Sequence, residues 1–168
     1  IARNEENGFD QVMEETAYTW FNRFIALRFM EVNDYLPTKV RVLSSSNPAG
    51  TEPDMIKEAL SLDLDIDKEY VYELKLNNKT DELFKYLIKV HCNDLNRYMP
   101  FMFETIEDYT EILFPEGLLS TDSFIREMTN PDIIPEEDWE KVEIIGWLYQ
   151  YYIAEENERV IQTKKRYK

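Results

Sequence analysis

The chain has 168 residues, of which 43% are hydrophobic and 14% aromatic, so it is long and apolar enough to bury one core. Its 19 lysines and arginines face 34 aspartates and glutamates; the net charge of -15 argues against a dominant nucleic-acid interface. The single cysteine, Cys92, excludes an intramolecular disulfide and fits a reducing cytoplasm, and no apolar run reaches the roughly 18 residues of a membrane-spanning helix. We expect one cytoplasmic domain over residues 1–168.

The longest helical pattern runs from Phe9 to Leu36 and organises the rest of the chain. Its apolar residues recur every three or four positions, which is the spacing of an amphipathic helix. Asn7 is predicted to cap this helix and Pro37 to close it. Arg23 and Arg28 lie inside the apolar run, where a buried guanidinium is costly unless a carboxylate or carbonyl meets it. We expect snorkelling or a structural ion pair for both arginines.

The middle of the chain alternates short elements with turns. Residues 39–45 alternate like a short edge strand, and a loop rich in Ser, Pro and Gly follows them. Short helices are predicted from Asp54 and over residues 68–76. A strong amphipathic helix is predicted over residues 80–99, closed by Pro100.

The last third of the sequence predicts three more helices. Two short helices are predicted, one over residues 106–113 and one from residue 121 or 122 to about residue 129. Pro135 and the acids after it have the chemistry of a helix start. The final helix is predicted from Trp139 to about Arg166. The fold class is therefore all-α, a multi-helix bundle-like domain with at most one short β segment near residues 39–45.

Sequence motifs for catalysis are missing or incomplete. The four glycines are too scattered to form a phosphate-cradling loop. The alternating aspartates of residues 63–67 begin like a calcium loop, but Lys68 replaces the glycine that such a loop requires. His91 and Cys92 are helical neighbours whose side chains point about 100° apart, which suits neither a zinc site nor a Cys–His nucleophile. We predict no catalytic, cofactor-binding or metal-binding residue.

Two sets of residues are candidates for contacts with other molecules or domains. Aromatic side chains in the first and last helices are candidates for an interdomain or partner contact: Phe29, Trp147 and Tyr151. A short basic tail ends the chain, formed by Lys164, Lys165, Arg166 and Lys168. For this tail, a solvated helix end that complements the helix dipole and a nucleic-acid contact both stay open.

Four stretches are long and distinctive: AYTWFNRFIALRFMEVNDYLP (residues 17–37), CNDLNRYMPFMFE (92–104), DYTEILFP (108–115) and EIIGWLYQYY (143–152). In order and position they resemble the N-terminal region of the PglX family, the adenine-specific DNA methyltransferases of BREX-type phage-defence systems. The resemblance covers essentially the whole chain. It implies a larger bacterial cytoplasmic protein that transfers methyl from S-adenosylmethionine to the adenine amino group, marks host DNA and acts in excluding phage.

The family's catalytic signature is an Asn-Pro-Pro-aromatic motif that holds the flipped adenine, with a glycine-containing loop for the cofactor. Neither occurs here, because Asn47-Pro48 is followed by Ala49 and Asn130-Pro131 by Asp132. The resemblance therefore implies a fragment upstream of the catalytic domain, inactive alone and without a cofactor of its own. S-adenosylmethionine and DNA belong to the parent protein.

Two functions stay open at this point. The first is a scaffold, DNA-clamp or regulatory domain that packs on the catalytic domain of the same parent chain. The second is an acidic interaction module that recruits other phage-defence proteins or is bound by phage inhibitors. Only Arg126 and Lys141 are basic between Glu104 and Glu143, and such a surface favours basic partners. A free-standing enzyme ranks third, and no membrane partner is expected.

Overall fold

The computed structural model describes residues 2–100, 102–103, 111, 113–141 and 143, with side chains from residue 8 onward. These residues contain no β-strand, and the predicted all-α fold is confirmed. Six α-helices and one short 3-10 helix lie in this part of the chain: α1 Ala2–Val32, α2 Asp54–Lys57, the 3-10 helix Ala59–Ser61, α3 Lys68–Leu76, α4 Thr80–Leu95, α5 Phe124–Thr129 and α6 Glu136–Trp139.

The predicted boundaries of the first helix are wrong at both ends. Asn7 lies inside α1 and does not cap it. The helix ends at Val32, well before Pro37, so the proline is not what stops it. The helix therefore starts earlier and finishes earlier than its apolar pattern indicates.

A C-terminal capping motif ends α1. Asp34 has a φ of 58°, in the left-handed region that a short polar side chain tolerates. Its N–H donates to the Glu31 carbonyl at 3.3 Å, and the Tyr35 N–H donates to the Met30 carbonyl at 2.8 Å. These two bonds form a Schellman motif, which satisfies the last carbonyls of the helix and reverses the chain.

The predicted strand over residues 39–45 is wrong, since the segment is irregular. Its carbonyls accept hydrogen bonds from the beginning of α2. The Met55 N–H donates to the Arg41 carbonyl at 2.9 Å and the Asp54 N–H donates to the Ser44 carbonyl at 3.0 Å. The first N–H groups of a helix have no partner within the helix, so this segment serves as their acceptor instead of joining a sheet.

The short middle helices agree well with the sequence. α3 has the predicted bounds, and the Asp67 carboxylate caps it by accepting from the Tyr70 N–H at 3.2 Å. The helix predicted from Asp54 is split into α2 and the 3-10 helix. α4 ends at Leu95 and continues as turns toward Pro100, so its predicted end at Met99 is four residues too late.

The later helices are short. Ser123 caps α5 by accepting from the Arg126 N–H at 3.2 Å, so this helix begins two or three residues after its predicted start. α6 begins directly after Pro135, as predicted. The helix predicted over residues 106–113 and the final helix beyond Trp139 fall almost entirely outside the described residues.

One hydrophobic core lies around the second half of α1. Leu27 is fully buried there, and Trp139 of α6 packs against α1 from the opposite end of the chain. α3 and α2 each pack on α4 and complete the layer. In the part of the chain that the structure describes, no helix is long and apolar enough to span a membrane.

Candidate functional site

Two arginines and two glutamates meet where α1, residues 41–44 and α6 come together. Arg28 and Glu31 lie one turn apart on α1, and both are buried. Arg28 Nη1 lies 3.6 Å from Glu31 Oε2, and Arg28 Nη2 lies 3.6 Å from Glu136 Oε1. Arg41 Nη1 donates a hydrogen bond to Glu136 Oε1. The structural ion pair expected for Arg28 is confirmed, and we call these four side chains with Ser44 the ion network.

Glu31 is fixed inside the network by residues 43 and 44. The Leu43 N–H donates to Glu31 Oε1 at 3.0 Å, and Ser44 Oγ donates to Glu31 Oε2 at 2.5 Å. Ser44 Oγ in turn accepts from Arg28 Nη1 at 3.0 Å and from Arg41 Nη1 at 3.3 Å. Because a buried carboxylate is costly unless its lone pairs are used, these bonds explain how Glu31 is accommodated in the core.

Burial and pairing act on the network in opposite directions. Burial raises the pKa of the Glu31 carboxyl, although Arg28 and the Ser44 hydroxyl oppose this. Burial lowers the pKa of Arg28, while Glu31 and Glu136 oppose that change. The hydrogen bond from Arg41 lowers the pKa of Glu136, which is only partly buried. With two cations and two anions, the network is neutral as a whole.

An open groove of about 960 Å³ runs beside the network. Residues 44–48 form one wall, and residues from Thr129 to Glu137 form much of the other. Arg41 and Glu136 line this groove, so the more exposed half of the network faces it. Arg28 lies behind them and is only 1% exposed. The groove therefore gives solvent access to one carboxylate and one guanidinium of the network.

His91 and Cys92 lie in the core and not at a site. His91 Nδ1 lies 2.8 Å from the Leu87 carbonyl, and burial lowers the pKa of the imidazole. Burial raises the pKa of the Cys92 thiol to about 12, so it stays protonated and unreactive at neutral pH. Among the described residues, no group of three or more His, Cys, Asp or Glu side chains is placed to hold a metal ion.

The predicted contact residues are only partly described. Phe29 is half-buried, and its ring centroid lies 5.9 Å from that of Tyr35, so its contact role stays a prediction. The other predicted positions lie outside the described residues: Trp147, Tyr151, Lys164, Lys165, Arg166 and Lys168. Arg23 is buried and stacks over the Trp20 ring, with its guanidinium carbon 5.1 Å from the ring centroid.

Sequence reasoning found one member of the network and missed its partners. The spacing of Arg28 and Glu31, three residues apart on one helix, was a usable signal for an ion pair. Arg41 and Glu136 are separated by 95 residues, and no local pattern links them. Only the packing of α6 on α1 brings them together.

No protein-family model matches the sequence. The chain is 43% identical over 164 residues to the adenine-specific methyltransferase BrxX of Escherichia coli O9:H4 (strain HS), an alignment that covers 96% of the chain. The chain therefore corresponds to a segment of a BREX-type PglX protein. It is also 38% identical to the adenine-specific methyltransferase PglX of Lacticaseibacillus casei (strain Zhang), over 98% of the chain. It spans 13% and 15% of the lengths of these two relatives.

Proposed function

We propose that this chain is a non-catalytic helical domain of a site-specific DNA adenine-N6 methyltransferase, where it acts as a scaffold or as a DNA-clamp or regulatory domain. The observation that carries the proposal is the identity to adenine-specific methyltransferases over nearly the whole chain. The sequence itself lacks the Asn-Pro-Pro-aromatic motif that holds a flipped adenine. S-adenosylmethionine and the target base would be bound by other parts of a bacterial cytoplasmic parent protein.

A docking role is supported by the first half of α1. Phe9, Val12 and Met13 are 64%, 41% and 40% exposed, and their spacing places them on one face of the helix. A stripe of large apolar side chains at helical spacing suits packing against another apolar surface. We name Phe9, Val12 and Met13 the apolar stripe and propose that it docks on the remainder of the parent chain.

Methyl transfer to duplex DNA tests this proposal, with three samples measured side by side. We expect no transfer by the 168-residue chain alone, weak transfer by a parent protein from which this segment is deleted, and partial recovery when the two are mixed. A chain carrying Phe9→Ser and Met13→Ser should fail to restore activity. Tyr72→Ser is the matched control, because Tyr72 is equally exposed but lies on α3. Methyl transfer by the chain alone would overturn the proposal.

DNA binding across a salt series separates a scaffold from a clamp. A clamp that contacts phosphates loses affinity steeply as salt rises, because each neutralised phosphate releases counterions. A pure scaffold leaves the salt dependence of the parent protein unchanged when it is deleted. The net charge of -15 favours the scaffold.

A second candidate is the acidic interaction module. Glu137 on α6 and Glu140 directly after α6 are exposed, and they form a surface that suits a basic partner among other phage-defence proteins or phage inhibitors. Glu136 is excluded from this surface test because it is held by two arginines. Charge reversal at Glu137 and Glu140 should abolish capture of such a partner; unchanged capture would eliminate this candidate.

A further inference from the structure

We propose that Arg28 and Arg41 form a phosphate-binding site, and that the Glu136 carboxylate occupies it in this structure. Glu136 Oε1 lies where a phosphate oxygen would lie, in contact with both guanidinium groups. The site would thus hold an internal ligand that an incoming phosphate displaces.

The donors of Arg28 are incompletely used. A guanidinium carries five N–H donors in a fixed fork. Among the described residues, the shortest polar contact of Arg28 is the hydrogen bond from Nη1 to Ser44 Oγ at 3.0 Å, and none accepts from its Nε. Its contacts with Glu31 and Glu136 are both 3.6 Å, beyond ordinary hydrogen-bond length. A phosphate presents more acceptor oxygens than a carboxylate and suits paired guanidinium groups better.

The charge of the site favours an anion as its ligand. Without Glu136, the two arginines and Glu31 carry a net charge of +1, by counting two cations against one anion. Glu31 does not neutralise the second guanidinium as well, because its carboxylate already accepts hydrogen bonds from the Leu43 N–H and the Ser44 hydroxyl. Arg28 would keep Glu31 as its counterion, and the excess charge would lie on Arg41, whose side chain is 23% exposed and open to an oxyanion from the groove.

The internal ligand is able to leave without unfolding α6. The Glu136 side chain is 44% exposed and faces the groove of about 960 Å³. α6 is held independently by the fully buried Trp139, whose carbonyl accepts from Asn33 Nδ2 at 3.0 Å. Rotation about the side-chain bonds of Glu136 therefore opens a path from the groove to Arg41 and Arg28 while the helix stays in place.

The phosphate has two possible sources, a free phosphate or phosphomonoester and the backbone of DNA. Both present the same oxyanion to the two arginines. The acidic surroundings, with Glu127 and Glu137 also lining the groove, oppose a polyanion more than a single phosphate. The test therefore measures inorganic phosphate first and a short DNA duplex second.

The decisive variant is Glu136→Gln, which keeps the shape of the side chain and removes its charge. A tethered ligand acts at an effective concentration in the millimolar range, so its neutralisation should tighten apparent phosphate binding by at least about tenfold. Glu140→Gln is the matched control, since it makes the same charge change directly after the same helix, at an exposed position that does not line the groove. Both are made in the 168-residue chain and titrated with inorganic phosphate by calorimetry.

A gain in phosphate affinity for Glu136→Gln that Glu140→Gln lacks, and that a further Arg41→Gln abolishes, supports the site. An equal gain in affinity in both variants, or no gain in either variant with inorganic phosphate or with the duplex, overturns the site. A gain with the duplex but not with inorganic phosphate, again lost with Arg41→Gln, supports the site with DNA as the source. If Glu136→Gln does not fold, Glu136→Asp, whose shorter side chain withdraws the carboxylate from Arg41, is judged by the same outcomes.

Discussion

The two halves of α1 differ in which side chains they bury. In the first half, the apolar stripe of Phe9, Val12 and Met13 is exposed to solvent. In the second half, Arg28 and Glu31 are buried. The difference arises because residues 41–44 and α6 bring hydrogen-bond donors and a carboxylate to the second half. Burial along one helix is decided by what the rest of the chain places against it, and hydrophobicity alone does not decide it.

Removing the buried cation should have the largest effect. Arg28→Met leaves the Glu31 carboxylate buried without its nearest cation, and we expect a loss of about 3–5 kcal/mol in the free energy of unfolding. Urea denaturation measures this loss. Arg97→Met is the control, because Arg97 pairs with Asp94 at the surface and an exposed pair contributes less than about 1 kcal/mol.

The same variant has a pH signature. Without Arg28, burial raises the pKa of Glu31 with less opposition, so the folded state binds a proton more tightly than the unfolded state does. A carboxyl group of this kind stabilises the folded state below the pKa that it has in the unfolded state. This stabilisation is lost as pH rises through the higher pKa of the folded state. The loss of unfolding free energy caused by Arg28→Met should therefore be larger at pH 8 than at pH 5. A loss that does not change with pH would contradict a charged Glu31 in the core.

Truncating apolar side chains in the two halves should give unequal losses. Leu27 is fully buried, and Leu27→Ala should cost about 2–5 kcal/mol because it removes apolar contacts and leaves a cavity. Val12→Ala, in the exposed apolar stripe, should change stability by less than about 0.5 kcal/mol. Similar losses for the two variants would show that the first half of α1 is covered in solution.

His91 offers a smaller and pH-dependent test of how burial of an ionisable side chain affects the free energy of unfolding. Burial lowers the pKa of His91, so the unfolded state takes up a proton more readily than the folded state. Stability should therefore be fully present above the unfolded pKa near 6.5 and fall as pH drops toward the lower folded value. His91→Leu should remove this fall. The difference in unfolding free energy between wild type and variant, followed from pH 7.5 to 5.5, gives the contribution of the imidazole.

Polar substitution in the apolar stripe should have the smallest effect on stability. Phe9→Ser and Met13→Ser change exposed side chains, so we expect less than about 0.5 kcal/mol each. Their effect should appear in binding to the remainder of the parent protein, measured by calorimetry with the deleted parent. Unchanged affinity in the double variant would show that the docking surface does not include this half of α1.

Helices were predictable from the sequence wherever the pattern that indicates a helix lay within the helix itself. The periodicity of residues 80–95 is a local feature, and it led to the right helix. The end of α1 was missed because Pro37 is a strong stop signal, whereas the Schellman turn at Asp34 depends on a backbone conformation that few sequence patterns indicate.

The ion network was less accessible, because it is made by tertiary packing. Residues 39–45 have the alternation of a strand, yet their carbonyls serve the first turn of α2, and Leu43 and Ser44 turn to Glu31. Glu136 appeared in the sequence only as part of an acidic helix start. Its role depends on Arg41, which lies 95 residues away and approaches it only when α6 packs on α1.

Hydrogen exchange along α1 tests the docking account most directly. Backbone amides are compared in the 168-residue chain alone and in the same chain mixed with the parent protein from which this segment is deleted. We expect slower exchange over residues 9–17 in the mixture and unchanged exchange over residues 24–31, which are already held by the core and the ion network. Equal exchange over residues 9–17 in both samples would contradict a docking role for the apolar stripe.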